Sequence, residues 1–194
     1  MGLLANLTLL LAAASAVIAE DKAAVPKITS IKFSGSGCQK DPAFSGTFND
    51  PKVTFSEFVA NLPGTSQTVN CQAHLQAEGA SQGWQVAVKS NTVRGQAVLQ
   101  PGTSLTHFTS VYFSQDPAKT EVFKGTLANN GNRTVTQAVV LTGKSDNNKV
   151  WSPCIGKDGY TGILNINFRA VLSGEGRAYF KANTEQWDVE WRKC

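Results

Sequence analysis

Eighteen lysines and arginines stand against 14 aspartates and glutamates in 194 residues, a net charge of +4. The basic residues are scattered, with no run beyond Arg192-Lys193, which excludes the basic stripe or module of a nucleic-acid-binding protein. Beyond the first 19 residues, no stretch is long and apolar enough to span a bilayer.

The chain opens on an uncharged apolar run, Leu3 to Ala16, then Val17-Ile18-Ala19 and the polar Glu20-Asp21-Lys22. This pattern predicts a secretory signal peptide over 1–19, cut after Ala19 or, alternatively, after Ala16. Residues 20–194 are expected to form a single secreted domain, long enough to bury a core without metal staples.

Lys27 to Ser34 alternates, with Ile31 and Phe33 on one face, and predicts a first strand. Gly35-Ser36-Gly37-Cys38 is a turn. Phe44 to Phe48 reads as a second strand, stopped by Asn49-Asp50-Pro51. Val53, Phe55 and Phe58 mark another extended piece, ended by Pro63-Gly64. Val69, Cys71, Ala73, Leu75 and Ala77 alternate with polar residues, which puts Cys71 on an inner face. Trp84 to Val88 and, after Asn91, Val93 to Leu99 read as two strands. Ser104 to Ser114 is rich in Thr, Ser, Val and aromatic residues, which suit a pleated sheet. Glu121 to Leu127 and Thr134 to Leu141 flank Ala128-Asn129-Asn130-Gly131. That turn predicts a hairpin, because Asn-Gly tolerates positive φ. Gly143 to Asn148 is a polar loop. Leu164 to Leu172 has the clearest period of two in the chain, and Trp187 to Trp191 closes it with another alternation.

No stretch has a helical period. Short alternating runs punctuated by Gly, Pro, Asn and Asp predict an all-β protein. The expected form is an antiparallel β-sandwich of about eight to eleven strands. The four cysteines, Cys38, Cys71, Cys154 and Cys194, all follow the signal segment. An even number in a secreted chain predicts two disulfides, and three pairings are open. Cys38–Cys71 with Cys154–Cys194 is preferred. Each bridge then closes a loop of roughly 30 to 40 residues and contributes about 3 to 4 kcal/mol. No two cysteines have zinc-ligand spacing, and no metal or other cofactor is expected.

Few residues invite chemistry. His74 faces outward and His107 sits among Thr and Phe, and neither is coupled to a nucleophile. No Gly-x-Ser-x-Gly element occurs. Copper-dependent oxidative polysaccharide enzymes need a histidine at the mature amino terminus, and neither cleavage exposes one. Glycosidases need two carboxylates at a set separation. Glu175, Glu185, Asp188 and Glu190 cluster late in the chain. Asp188 and Glu190 share a strand face opposite Trp187, Val189 and Trp191, which reads as a solvated face. Asp146-Asn147-Asn148 and Asp158-Gly159 are oxygen-rich, but turn chemistry accounts for them without calcium. Among the four tryptophans, Trp84, Trp187 and Trp191 follow the inward periodicity. Trp151, beside Pro153 and Cys154, is the candidate contact for a glycan or a partner. Asn132-Arg133-Thr134 is a glycosylation sequon next to the Asn-Gly turn, with Asn132 as acceptor.

Gly37-Cys38, Asn70-Cys71, Trp151-Ser152-Pro153-Cys154 and the terminal Trp191-Arg192-Lys193-Cys194 form an ordered set of motifs across nearly the whole mature chain. In this the chain resembles a family of small secreted proteins, mostly fungal, whose domain is of unknown function. Ile155 stands where the resemblance leads one to expect glycine. The resemblance implies an extracellular all-β protein with two disulfides, and it carries over no catalytic residue.

The expected function is therefore non-enzymatic binding outside the cell. The expected partner is cell-wall polysaccharide or a host extracellular protein, with an effector- or elicitor-like role at a fungus–host interface or in the wall. The alternative is a hydrolase of wall polysaccharide.

Overall fold

The computed structural model describes residues 22–145 and 148–194, and the predicted signal peptide lies outside them. Eleven strands follow one another, and no helix occurs among the described residues. They are β1 (Lys27–Ser34), β2 (Ala43–Thr47), β3 (Asp50–Thr54), β4 (Val59–Leu62), β5 (Thr68–Glu78), β6 (Trp84–Leu99), β7 (Ser104–Phe113), β8 (Thr120–Ala128), β9 (Val135–Lys144), β10 (Ile163–Ser173) and β11 (Ala178–Lys193). One sheet has the order β1-β5-β10-β7-β8. The other has the order β2-β3-β11-β6-β9, with β4 beside β3 on the same flank of β11. All pairings between strands are antiparallel. The two sheets form the expected sandwich.

The core follows from the period of two. On β5, Val69, Cys71, Ala73, Leu75 and Ala77 are buried, and on β10 Leu164, Ile166, Phe168, Ala170 and Leu172 are buried. Phe58, between β3 and β4, meets Phe168 of one sheet at 5.1 Å and Phe180 of the other at 6.3 Å between ring centroids. The Cys38–Cys71 disulfide is buried with this cluster. Gly37 is required beside it. A Cβ there would lie 2.5 Å from the Phe58 ring and 2.7 Å from Val69.

The structure corrects three readings of local structure. Trp84 to Val88 and Val93 to Leu99 are one strand, β6, paired along its length with β11. Ser90 faces Asp188 while Val88 faces Val189, so Lys89 bulges out of register. The bulge switches the inward set from Val86 and Val88 to Asn91, Val93, Ala97 and Leu99, which the sequence shows as a broken alternation. β2 does end at Thr47, but the turn is Phe48-Asn49 alone, and Asp50-Pro51 already belong to β3, which pairs back onto β2.

The third correction concerns the Asn-Gly turn. β8 pairs with β7 in one sheet and β9 with β6 in the other, so the segment between them is a crossover and no hairpin forms. Among the described residues no non-glycine residue has positive φ, and Gly131 is not among the glycines that do. Asn129 is buried instead. Its amide donates to the carbonyls of Leu99 and Arg133, and its backbone N–H donates to the Thr103 carbonyl. These bonds tie the crossover to the β6–β7 turn, and they outweigh the local preference for a tight hairpin turn.

Candidate functional site

Trp151-Ser152-Pro153-Cys154 lies along the first residues of β6. Trp151 forms a bridge with Ala87, the Ser152 N–H donates to the Val86 carbonyl, and the Ile155 N–H donates to the Trp84 carbonyl. Pro153 has no N–H to offer a ladder. The Ser152 hydroxyl compensates: it accepts the Val86 N–H at 3.0 Å and donates to the Pro153 carbonyl at 2.9 Å. Ile155 is buried and continues this extended segment, so the expected glycine turn is displaced to later residues. The Cys154–Cys194 disulfide fastens the segment to the end of β11, and both its cysteines are exposed.

This arrangement stands Trp151 at the wall of a cleft of about 650 Å³, with Gln85, Phe113, Asp116, Lys149 and Arg192 also in its lining. Trp151 is half-buried. The exposed Arg192 guanidinium covers its ring at 3.9 Å from the centroid, a cation–π stack. Arg192 Nε also donates to Gln85 Oε1 at 3.1 Å, and Gln85 Nε2 donates to the Ser152 carbonyl at 2.8 Å. The stack is thus held from β6, β11 and the Trp151 segment at once. Lys149 pairs with Glu190 at 3.2 Å, and Lys119 with Asp116 at 2.7 Å. Both carboxylates near the cleft are therefore matched by a lysine, and Arg192 adds a further positive charge.

The remaining tryptophans divide. Trp187 is buried and Trp191 packs against the core, donating from Nε1 to Asn49 Oδ1 at 2.9 Å. Trp84 is half-buried at the start of β6, outside the core cluster, with Lys193 Nζ 5.8 Å from its ring centroid. The inward place in the core expected for Trp84 is therefore not met at this end of β6.

The late acidic residues do not converge. Asp188 is exposed and accepts a hydrogen bond from Ser90, while Glu190 is held by Lys149. Glu185 points between the sheets. Its Oε1 accepts from Asn91 Nδ2 at 2.6 Å and Trp187 Nε1 at 3.0 Å, and Thr109 of the opposite sheet donates to Asn91 Oδ1 at 3.0 Å. Burial pushes the Glu185 carboxyl up to about 7, against the two hydrogen bonds that favour its charged form. Glu185, expected only as one of the late acidic residues, is buried on the same side of its strand as Trp187.

His74 lies outward between Ser34 Oγ at 3.0 Å and Asn165 Oδ1 at 2.7 Å. His107 is buried, and desolvation lowers its pKa. Asn132 is exposed on the β8–β9 crossover. Asp158 accepts the Tyr160 N–H in a local turn, while Asp146 and Asn147 lie outside the described residues. Among the described residues no group of three or more His, Cys, Asp or Glu is placed to hold a metal ion.

Fold and cysteines define a secreted β-sandwich closed by two disulfides. The chain belongs to the DUF4360 family, a domain of unknown function, whose model matches residues 24–194. It is 28% identical over 161 residues to an "Uncharacterized secreted protein" of Arthroderma benhamiae, an alignment covering 77% of this chain. The chain spans 60% of that relative's length. Among solved structures, it is similar to a CBM61 module in complex with β-1,4-galactotriose, with 10% identity and a TM-score of 0.26. That alignment covers 87% of this chain and 91% of the module. A CBM4 structure aligns over 84% of this chain and 86% of its own, with 16% identity and a TM-score of 0.23.

Proposed function

We propose that this protein is a non-catalytic extracellular binding protein that takes a wall saccharide in the cleft beside Trp151. The observation that carries this reading is the Arg192–Trp151 stack. A guanidinium held over the ring presents weakly hydrated surface and N–H donors at the mouth of an open cleft. Sugars offer C–H faces to the first and hydroxyls to the second. The absence of catalysis is supported by the acids. Asp188, Glu190 and Glu185 each have a separate partner, and no two of them face the cleft as an unpaired acid and base.

The role that goes with this reading is effector- or elicitor-like action where a fungus meets a host or its own wall. We infer in the same way that Asn132 carries an N-linked glycan, since it is an exposed acceptor in a secreted chain.

The test is depletion of the oxidised, secreted protein by insoluble chitin, β-glucan, cellulose and whole plant walls, with reducing-sugar release followed in parallel. We expect selective loss onto one polymer without sugar release. Trp151→Ala should weaken it at least tenfold, while Asp188→Ala with Glu190→Ala, which frees Lys149 but leaves the stack in place, should leave it nearly intact. Sugar release that depends on Asp188 and Glu190 would establish the hydrolase reading instead, and no depletion by any polymer would remove the wall ligand. Intact mass before and after N-glycosidase reports the Asn132 glycan, and an unchanged mass rules it out.

A further inference from the structure

The outward face of the β1-β5-β10-β7-β8 sheet has an unusual balance of charge. Solvated faces ordinarily mix both signs. Here Lys32, Lys124 and Arg169 are exposed, and the only carboxylate at an outward strand position is Glu78, at a corner opposite Lys27. None of the three cations forms a salt bridge with a described residue.

The register arranges these cations in two rows across the strands. One row runs Lys32, His74, Asn165, Tyr112, and the other runs Asn70, Arg169, Phe108, Lys124. Neighbours in a row are about 4.8 Å apart, so each row spans roughly 14 Å. Each contains an aromatic ring and at least one cation. Phe108 is clasped, with the Arg169 guanidinium 4.6 Å and Lys124 Nζ 5.5 Å from its centroid. The amides between the rows are fixed. Gln72 Nε2 donates to the Tyr112 hydroxyl at 2.8 Å and to Asn165 Oδ1 at 3.3 Å, and Asn70 Nδ2 donates to Asn167 Oδ1 at 3.3 Å. Asn165 is buried at the centre of this network, and its amide nitrogen donates to Ser114 Oγ at 2.8 Å. Groups already locked by mutual bonds lose little freedom when a ligand arrives.

We propose that this face binds an acidic polysaccharide, a chain of uronate-bearing sugars. Arg169, Lys124 and Lys32 meet its carboxylates, and Tyr112 with the Asn and Gln amides meets its hydroxyls. Charge selects the acidic polymer over a neutral one. The amide and hydroxyl groups between the cations favour a sugar over an acidic lipid surface, whose headgroups are satisfied by lysine and arginine alone. The site shares no residue with the Trp151 cleft.

The experiment is affinity electrophoresis of the secreted protein in gels containing polygalacturonate or a neutral β-glucan, with phosphatidylserine vesicles as a separate sedimentation arm. We expect retardation by polygalacturonate that weakens steeply with salt. It should fall about tenfold or more in an Arg169→Ala, Lys124→Ala variant, as two charge contacts are lost. The variant Lys40→Ala, Lys52→Ala removes the same charge from exposed positions elsewhere and should bind like the parent. Trp151→Ala should also bind polygalacturonate normally, which separates this face from the cleft. Circular dichroism and melting temperature confirm that each variant is folded. Absence of retardation, an equal loss in the Lys40, Lys52 variant, loss in the Trp151 variant alone, or binding to vesicles in place of polygalacturonate would each overturn the proposal.

Discussion

Glu185 keeps a carboxyl between two sheets with only neutral partners, Asn91 and Trp187. Its folded pKa, about 7, lies above the ordinary value of 4.5, so the folded state holds the proton more tightly than the unfolded chain. The stabilisation is complete below about pH 4.5 and is lost as pH rises through 7. The two and a half units between these values amount to roughly 3 kcal/mol. His107 acts in the opposite direction, since burial favours its neutral form and its contribution is lost as pH falls. The clean readout is therefore a difference. Melting temperature measured from pH 4.5 to 8 should fall with pH more steeply in the parent than in Glu185→Gln, which keeps the shape without the charge. Identical slopes would show that the carboxyl does not titrate in this range. The inward position of Glu185 was legible in its parity with Trp187. Its partner Asn91 was harder to place, because a one-residue bulge at Lys89 erases the alternation that would have joined it to Val86.

At the scale of the element, the two disulfides guard different things. Cys38–Cys71 is buried within the core cluster, whereas Cys154–Cys194 is exposed and fastens the Trp151 segment to the end of β11. Thiol exchange requires access to sulfur. Limited reductant followed by alkylation and peptide mapping should therefore label Cys154 and Cys194 first, with the β-sheet spectrum intact, and weaken the saccharide binding proposed for the cleft before the fold is lost. Simultaneous labelling of all four cysteines would contradict this. The pairing was one preference among three open ones, and the structure bears it out. The role of Ser152 was not legible, because a hydroxyl standing in for a ladder partner leaves no periodic trace. The Asn-Gly crossover misled for a related reason. Turn chemistry reports what a segment tolerates locally, and the buried amide of Asn129 was decided by Leu99, thirty residues away.

For the whole molecule, strand number and alternation were legible, but strand order was not. Among the described strands, β2–β3 and β7–β8 are the consecutive strands that pair with each other, and every other pairing joins strands that are not neighbours in sequence. Long-range pairings of this kind are set by the collective packing of the two inner faces, and no short window of sequence contains them. The strand order makes the late strands central. β10 joins β5 to β7, and β11 joins β3 and β4 to β6. A chain ending after Ser173 would lack β11 and should show no cooperative thermal transition, while a chain cut before Lys27 should still melt cooperatively. A sharp transition in the first would refute the central role of β11.

The same order has a consequence for biosynthesis. A ribosome delivers β1 to β9 before either sheet has its middle strand, so the chain has nothing stable to fold into until its final strands emerge. Export through a narrow channel requires an unfolded chain, and this topology supplies one by delay alone. Cys38 and Cys71 can meet early, but the second bridge can close only after β11 has been delivered, so its formation reports that both sheets have received their middle strands.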